Sequence, residues 1–323
     1  MPGRCCCASS PTSSWRDRAT ALVGLVVAIA LGATNLLEAE QLQLHHGPLL
    51  GPAVSDSTLH RLLSTTDGTR REQIAKVRQR VRRHVWTLLH LRPGGFPYLT
   101  VAGRHLKGWI VLDMDATIIT AASRKQGAAG TFKGTFGFHP LAAWLANTDE
   151  CLAMELRQGN AGANTVADHL RVLDATLAQI PRSSQAKILV RSTAPVPRTA
   201  CSSALQFLDV LHRDHAEVED RVRTNKAMGL ANLPSKSWET NASWMLTANL
   251  AADLDAWLRL LTLHDQADLA DAEPDTMRFR LYHLPARLAH HARRRHLRIE
   301  RTWPWAETFT TSWKRINNLT AAT

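Results

Sequence analysis

Asp113 and Asp115 stand two residues apart in WIVLDMDATIITA, a short apolar run with β-branched residues. A repeat of two places both carboxylates on one face of a strand. A bare carboxylate on an apolar sheet is costly, whereas one that faces a divalent cation is stabilised. Mg²⁺ takes a few carboxylates together with water and phosphate oxygens, which is the ligand set of phosphoryl-transfer sites. A solvated strand end accounts for the pair equally well.

A second signal lies about a hundred residues on. His215, Glu219, Val222 with Arg223, and Lys226 follow one another at steps of three and four, so they share one helical face. A carboxylate flanked by basic groups suits a site that holds metal and phosphate together. Glu219 and Arg223 equally fit an ordinary i,i+4 pair on a surface helix.

The elements that must carry these residues are legible in the hydrophobic spacing. Residues 1–19 are rich in Cys, Ser and Pro without a period and read as disordered. The run 21–33, ALVGLVVAIALGA, follows Arg4, Arg16 and Arg18 as a signal-peptide apolar segment would, but it is too short to span a bilayer, and a buried helix is the preferred reading over a signal peptide. The stretch REQIAKVRQRVRRHVWTLLHL puts Ile74, Val77, Val81, Val85 and Leu88/Leu89 on one face and arginines on the other. Period two then takes over, with a strand expected from Trp109 to Thr120, a turn and strand in the Gly/Lys-rich segment after it, and a third strand in CLAMELRQGN. NTVADHLRVLDATLAQI reads as an amphipathic helix capped by Asn164 and stopped before Pro181, and AKILVRS as a fourth strand. Residues 192–204 carry two prolines and no period. A helical pattern resumes at LQFLDVLHRDHAEVEDRV and continues from Trp238 to the end.

The charge narrows the partner. The formal net charge is +11 and the pI about 10.0, which points to a polyanion, nucleic acid before an anionic membrane. The arginine clusters at 78–83 and 293–298 are the expected phosphate contacts. Of the five cysteines, Cys5, Cys6 and Cys7 are adjacent, Cys151 and Cys201 stand alone, and no CxxC pair is present. Neither a disulfide framework nor a zinc site is indicated, and a reducing compartment, the cytoplasm, fits best.

VLDMDATIITAASRKQGAAGTFKGTFGFHPLAAWL, then LRQGNAGANTVADHLRVLDATLAQIP and AKILVRS, and finally HRDHAEVEDRVRTNKAMGLANLP resemble the DDE transposases of bacterial insertion sequences. Glu219, six residues and then Lys226 match that family's glutamate motif. The resemblance implies an α/β fold with an RNase H-like mixed-sheet core at 106–230, a helical N-terminal region at 20–105 and a helical C-terminal region at 231–323. It implies Mg²⁺- or Mn²⁺-dependent cleavage and strand transfer at terminal inverted repeats and target DNA. A homodimer is compatible with this, and no stable membrane partner is expected. Asp115 becomes the first catalytic acid and metal ligand, with Asp113 as the alternative ligand. Glu219 becomes the third acid, and Lys226, Arg223 and Arg191 become DNA contacts.

The departures matter as much as the match. The family's fourth strand runs into a second aspartate as Arg-x-Asp, but here Arg191 is followed by Ser192 and Thr193. Relatives carry a long β-rich insertion before the glutamate helix, where this chain has only residues 194–218. The next acid is Asp209, ten residues before Glu219, or about 15 Å along a continuous helix. The resemblance therefore implies a truncated or internally deleted transposase with defective catalysis, since two metal ions would lack a bridging carboxylate. A non-catalytic DNA-binding remnant and a membrane-associated protein are the competing readings.

Overall fold

The computed structural model describes residues 14–101, 103–162, 165–192, 217–291 and 294–319. Four strands form the principal sheet, in the order Glu150–Glu155, Leu141–Leu145, Trp109–Ala116, Lys187–Ser192. The first three in sequence are antiparallel neighbours, and the fourth pairs parallel to the first. A parallel neighbour needs a crossover, which helix Val166–Leu177 provides. The aspartate strand thus lies inside the sheet, as its near-continuous apolar run requires. It ends at Ala116 and not at Thr120. Thr117 donates to the Pro140 carbonyl, and Ile119–Thr120 joins Ala129–Gly130 and Phe136–Phe138 in a separate three-stranded sheet. Gly137 is required there, because a Cβ would lie 2.1 Å from the Ile119 carbonyl oxygen.

The helices pack on one another and on the sheets through apolar clusters, of which two are the largest among the described residues. In one, Leu25 and Ile29 of helix Ser14–Ala30 meet Leu59, Leu63 and Trp244. Trp244 belongs to helix Trp238–Leu258, which is buried along most of its length. The 21–33 run therefore turns one face into the core, with Val23 outward, and among the described residues no helix is long and apolar enough to cross a membrane. In the other cluster Val85, Trp86 and Leu89 of helix Gly68–Leu91 pack on Ile110, Leu112, Leu145 and Leu152 of the sheet.

Four expectations are corrected. Residues 14–19, read as disordered, begin the first helix. The helix expected to start from Asn164 starts after Thr165, with no side-chain cap bond. The expected apolar face of helix Gly68–Leu91 holds at Val85 and Leu89, which are buried, but not earlier in the helix: Val77 and Val81 are 56% and 41% exposed, while Arg78 and Arg82 are buried. Arg78 and Arg82 find Asp253 and Glu150 inside, and a guanidinium buried with carboxylate partners can replace an apolar residue at such a position. Finally, the C-terminal region is not helical throughout, because Ala286–His291 and Arg294–Ile299 form an antiparallel ribbon. Ala286 with Leu288, and Leu297 with Ile299, follow a period of two that the dense arginines obscured.

Candidate active site

The central strand delivers Asp113 and Asp115 to one face, three and one positions before its end at Ala116. Asp113 is fully buried, and Asp115 is half-buried. In register, Asp113 lies beside Trp144 on one side and Arg191 on the other. Arg191 closes a bidentate pair on it, Nε to Oδ1 at 2.5 Å and Nη2 to Oδ2 at 2.7 Å. Two parallel N–H donors to one carboxylate make a strong, oriented contact.

Helix Glu217–Asn225 covers this face. Val218 packs with Ala142, Trp144 and Cys151. Three residues on, Arg221 donates to Asp113 Oδ2 at 2.8 Å and to Asp149 Oδ1 at 2.6 Å. Asn225 accepts from the Trp144 indole at 2.8 Å. Val218, Arg221 and Asn225 thus form the inward stripe, and Glu219, one step of about 100° from Val218, is exposed. The helix ends in the turn Lys226–Leu230, where Gly229 takes φ +88°, a conformation that a side chain disfavours. Lys226 sits half-buried at that junction. Desolvation, with the nearby charge of Lys133, lowers the pKa of its ammonium.

The site residues expected from sequence are therefore dispersed by environment. Asp115 and Glu219 keep accessible surface, whereas the described oxygens of Asp113 are taken by two guanidiniums. Arg191 is buried against Asp113 and is not turned outward toward a phosphate. Arg223 is exposed, but its partners are Asp220 at 2.8 Å and Glu273 at 3.0 Å, not the expected Glu219. His215 and Asp209, together with the 193–204 part of the prolyl segment, lie outside the described residues. Arg221 was missed by sequence reasoning. Its signal was present, because it falls three residues after Val218 and four before Asn225 on the apolar side of the helix.

The donor set can be weighed against a divalent cation. Magnesium prefers carboxylates with free charge, and a carboxylate neutralised by two arginines offers little. Among the described residues no group of three His, Cys, Asp or Glu side chains could hold a metal ion. The described donors do not fit a two-metal centre.

Comparison with known proteins gives one family. The model described as "Transposase DDE domain group 1" matches residues 17–200 and again 196–321, two segments that meet at 196–200. No curated protein and no solved structure matches the chain. Together the two segments span nearly all of the sequence, and the chain belongs to the transposase DDE domain group 1 family.

Proposed function

We propose that this protein is a cytoplasmic, DNA-binding transposase of RNase H-like topology whose own cleavage and strand-transfer chemistry is defective. The topology reading is supported by three antiparallel strands followed by a helix and a fourth strand parallel to the first. The defect is supported by one observation above all. Asp115 and Glu219 remain as candidate catalytic acids, while Asp113 is held by Arg191 and Arg221. Thr193 stands where the family has an aspartate, and the two family matches meet within the same prolyl segment, in keeping with a deletion there. Chemistry in this family generally uses a divalent metal. Two ions need carboxylates that neutralise them and bridge attacking and leaving oxygens. Lys226, at the end of the Glu219 helix, is the residue assigned to a DNA phosphate.

Purified protein incubated with Mg²⁺ or Mn²⁺ and the element's own ends tests the reading. Expected are salt-sensitive retention of duplex DNA and no cleavage above that of Asp115→Ala. Specific 3′-end cleavage that is lost in Asp115→Ala would overturn the defect.

A further inference from the structure

The ribbon formed by Ala286–His291 and Arg294–Ile299 carries no acidic residue and pairs with no other strand among the described residues. Antiparallel partners share a face. One face therefore carries Arg287 with Arg298, then Ala289 with His296, and then His291 toward the tip. Arg287, His291, His296 and Arg298 are all exposed. The other face holds Ala286 with Ile299 and Leu288 with Leu297, of which Leu288, Leu297 and Ile299 are half-buried, and then the exposed pair His290 with Arg295 toward the tip. No ion pair engages Arg287, Arg295 or Arg298 among the described residues. The ribbon thus has one face that is apolar toward its base, and one face on which the cationic side chains meet no counter-charge among the described residues.

We propose that this cationic face is a duplex-DNA contact, lying in the groove with Arg287 and Arg298 on backbone phosphates. The inference rests on the DNA-binding reading above and extends it to a surface away from the aspartate strand. Shape and charge both favour a duplex. The major groove, about 12 Å wide, admits a two-stranded β-ribbon, and DNA presents one negative charge per about 1.7 Å of axis. Six residues of strand span about 20 Å, so the ribbon follows many such charges. An anionic membrane is less well matched, because the outward face has no large apolar side chain to insert.

The experiment compares the full-length protein with R287Q/R298Q and with R61Q/K76Q, which removes two exposed charges elsewhere. Binding to a short duplex of arbitrary sequence is followed as salt is raised from about 50 to 200 mM. In the ribbon variant the slope of log affinity against log salt should be shallower by about 2, and the control should keep the wild-type slope. Thermal unfolding shows whether each variant folds. Phenylglyoxal modification of the wild type, read by peptide mass, gives the same test without a variant: DNA should protect Arg287 and Arg298. Equal slopes in the two variants, or no protection, would overturn the ribbon contact while leaving DNA binding in place. Failure of the wild type to bind DNA at all would overturn the reading beneath it. Loss of binding to phosphatidylserine vesicles in the ribbon variant, with DNA binding unchanged, would assign the face to a membrane instead.

Discussion

Arg82 and Glu150 form an ion pair with no exposed surface on either side chain, Nε to Oε1 at 2.7 Å. It joins helix Gly68–Leu91 to an edge strand of the sheet, and the rest of its valence is filled. Arg82 also donates to Asp253 at 2.9 Å and to Gln179 at 2.5 Å. Glu150 accepts from Thr148 at 2.6 Å, Trp257 at 2.7 Å and Trp86 at 3.1 Å. Burial alone would raise the Glu150 pKa, but Arg82 and these donors outweigh it and hold the carboxyl below its ordinary value.

Arg82→Met should therefore destabilise the protein by about 3–5 kcal/mol, because it leaves Glu150 and Asp253 buried without their shared cation. Urea unfolding at neutral pH measures this. R82M/E150Q should recover part of the loss, since the neutral amide no longer requires the charge and Asp253 keeps Arg78 as its partner. A single-variant cost below about 1 kcal/mol would mean that water reaches the network.

Cys151 lies against the same network, and its backbone carbonyl accepts from Arg78. Burial pushes its thiol up to about 12, with the neighbouring Arg78 opposing. The thiolate is the reactive species, so near pH 8 only about one in 10⁴ molecules would carry it. Peptide mass after iodoacetamide treatment should show Cys151 unmodified in the native protein and alkylated in urea. Rapid native alkylation would contradict the packing around it.

The succession of strands along the chain was readable because hydrophobic period reports burial directly, as the 109–116 run shows. The inner face of helix Gly68–Leu91 was readable at Val85 and Leu89 but not at Arg78 and Arg82. Arg78 and Arg82 point inward only because Glu150 and Asp253 come from other elements, and no local pattern carries that information. Asp113 repeats the lesson at the site. Two carboxylates in period two suggested a shared ligand role, but the neighbouring strand and helix bring Arg191 and Arg221 to one of them. Arg221 itself was concealed by the assumption that charged positions on a helix face outward.

Acid should weaken the tie of the last helix, Ala306–Asn317, to the body. Arg315 donates to Asp265 at 2.7 and 2.5 Å, and these bonds hold the Asp265 carboxyl well below the usual carboxylate range. A depressed folded-state pKa stabilises above the ordinary aspartate value of about 3.9, and that contribution is lost as pH falls below it. Both partners are partly exposed, so the contribution is at most about 1 kcal/mol. Asp265→Asn should lower stability by that amount at pH 7, and the gap from wild type should close in strong acid. A gap that is constant across pH would mean that the pair adds nothing electrostatic.

Asp113→Asn separates a structural anion from a metal ligand. If Asp113 serves to neutralise Arg191 and Arg221, the substitution takes from two buried guanidiniums a carboxylate that both contact. Breaking a buried pair costs about 3–5 kcal/mol, and Arg221 retains Asp149 at 2.6 Å, so the lower end is expected. The loss should be present in EDTA, because it does not depend on a cation. Mn²⁺ binding followed by electron paramagnetic resonance should be unchanged from wild type. Asp115→Asn, at a half-buried position near the strand end, should cost less than Asp113→Asn. The opposite pattern, with stability in EDTA unaltered and Mn²⁺ binding weakened by Asp113→Asn, would make Asp113 a ligand. Arg191 and Arg221 would then have to leave its oxygens when metal and DNA arrive, and the aspartate face would be a site closed by its own arginines.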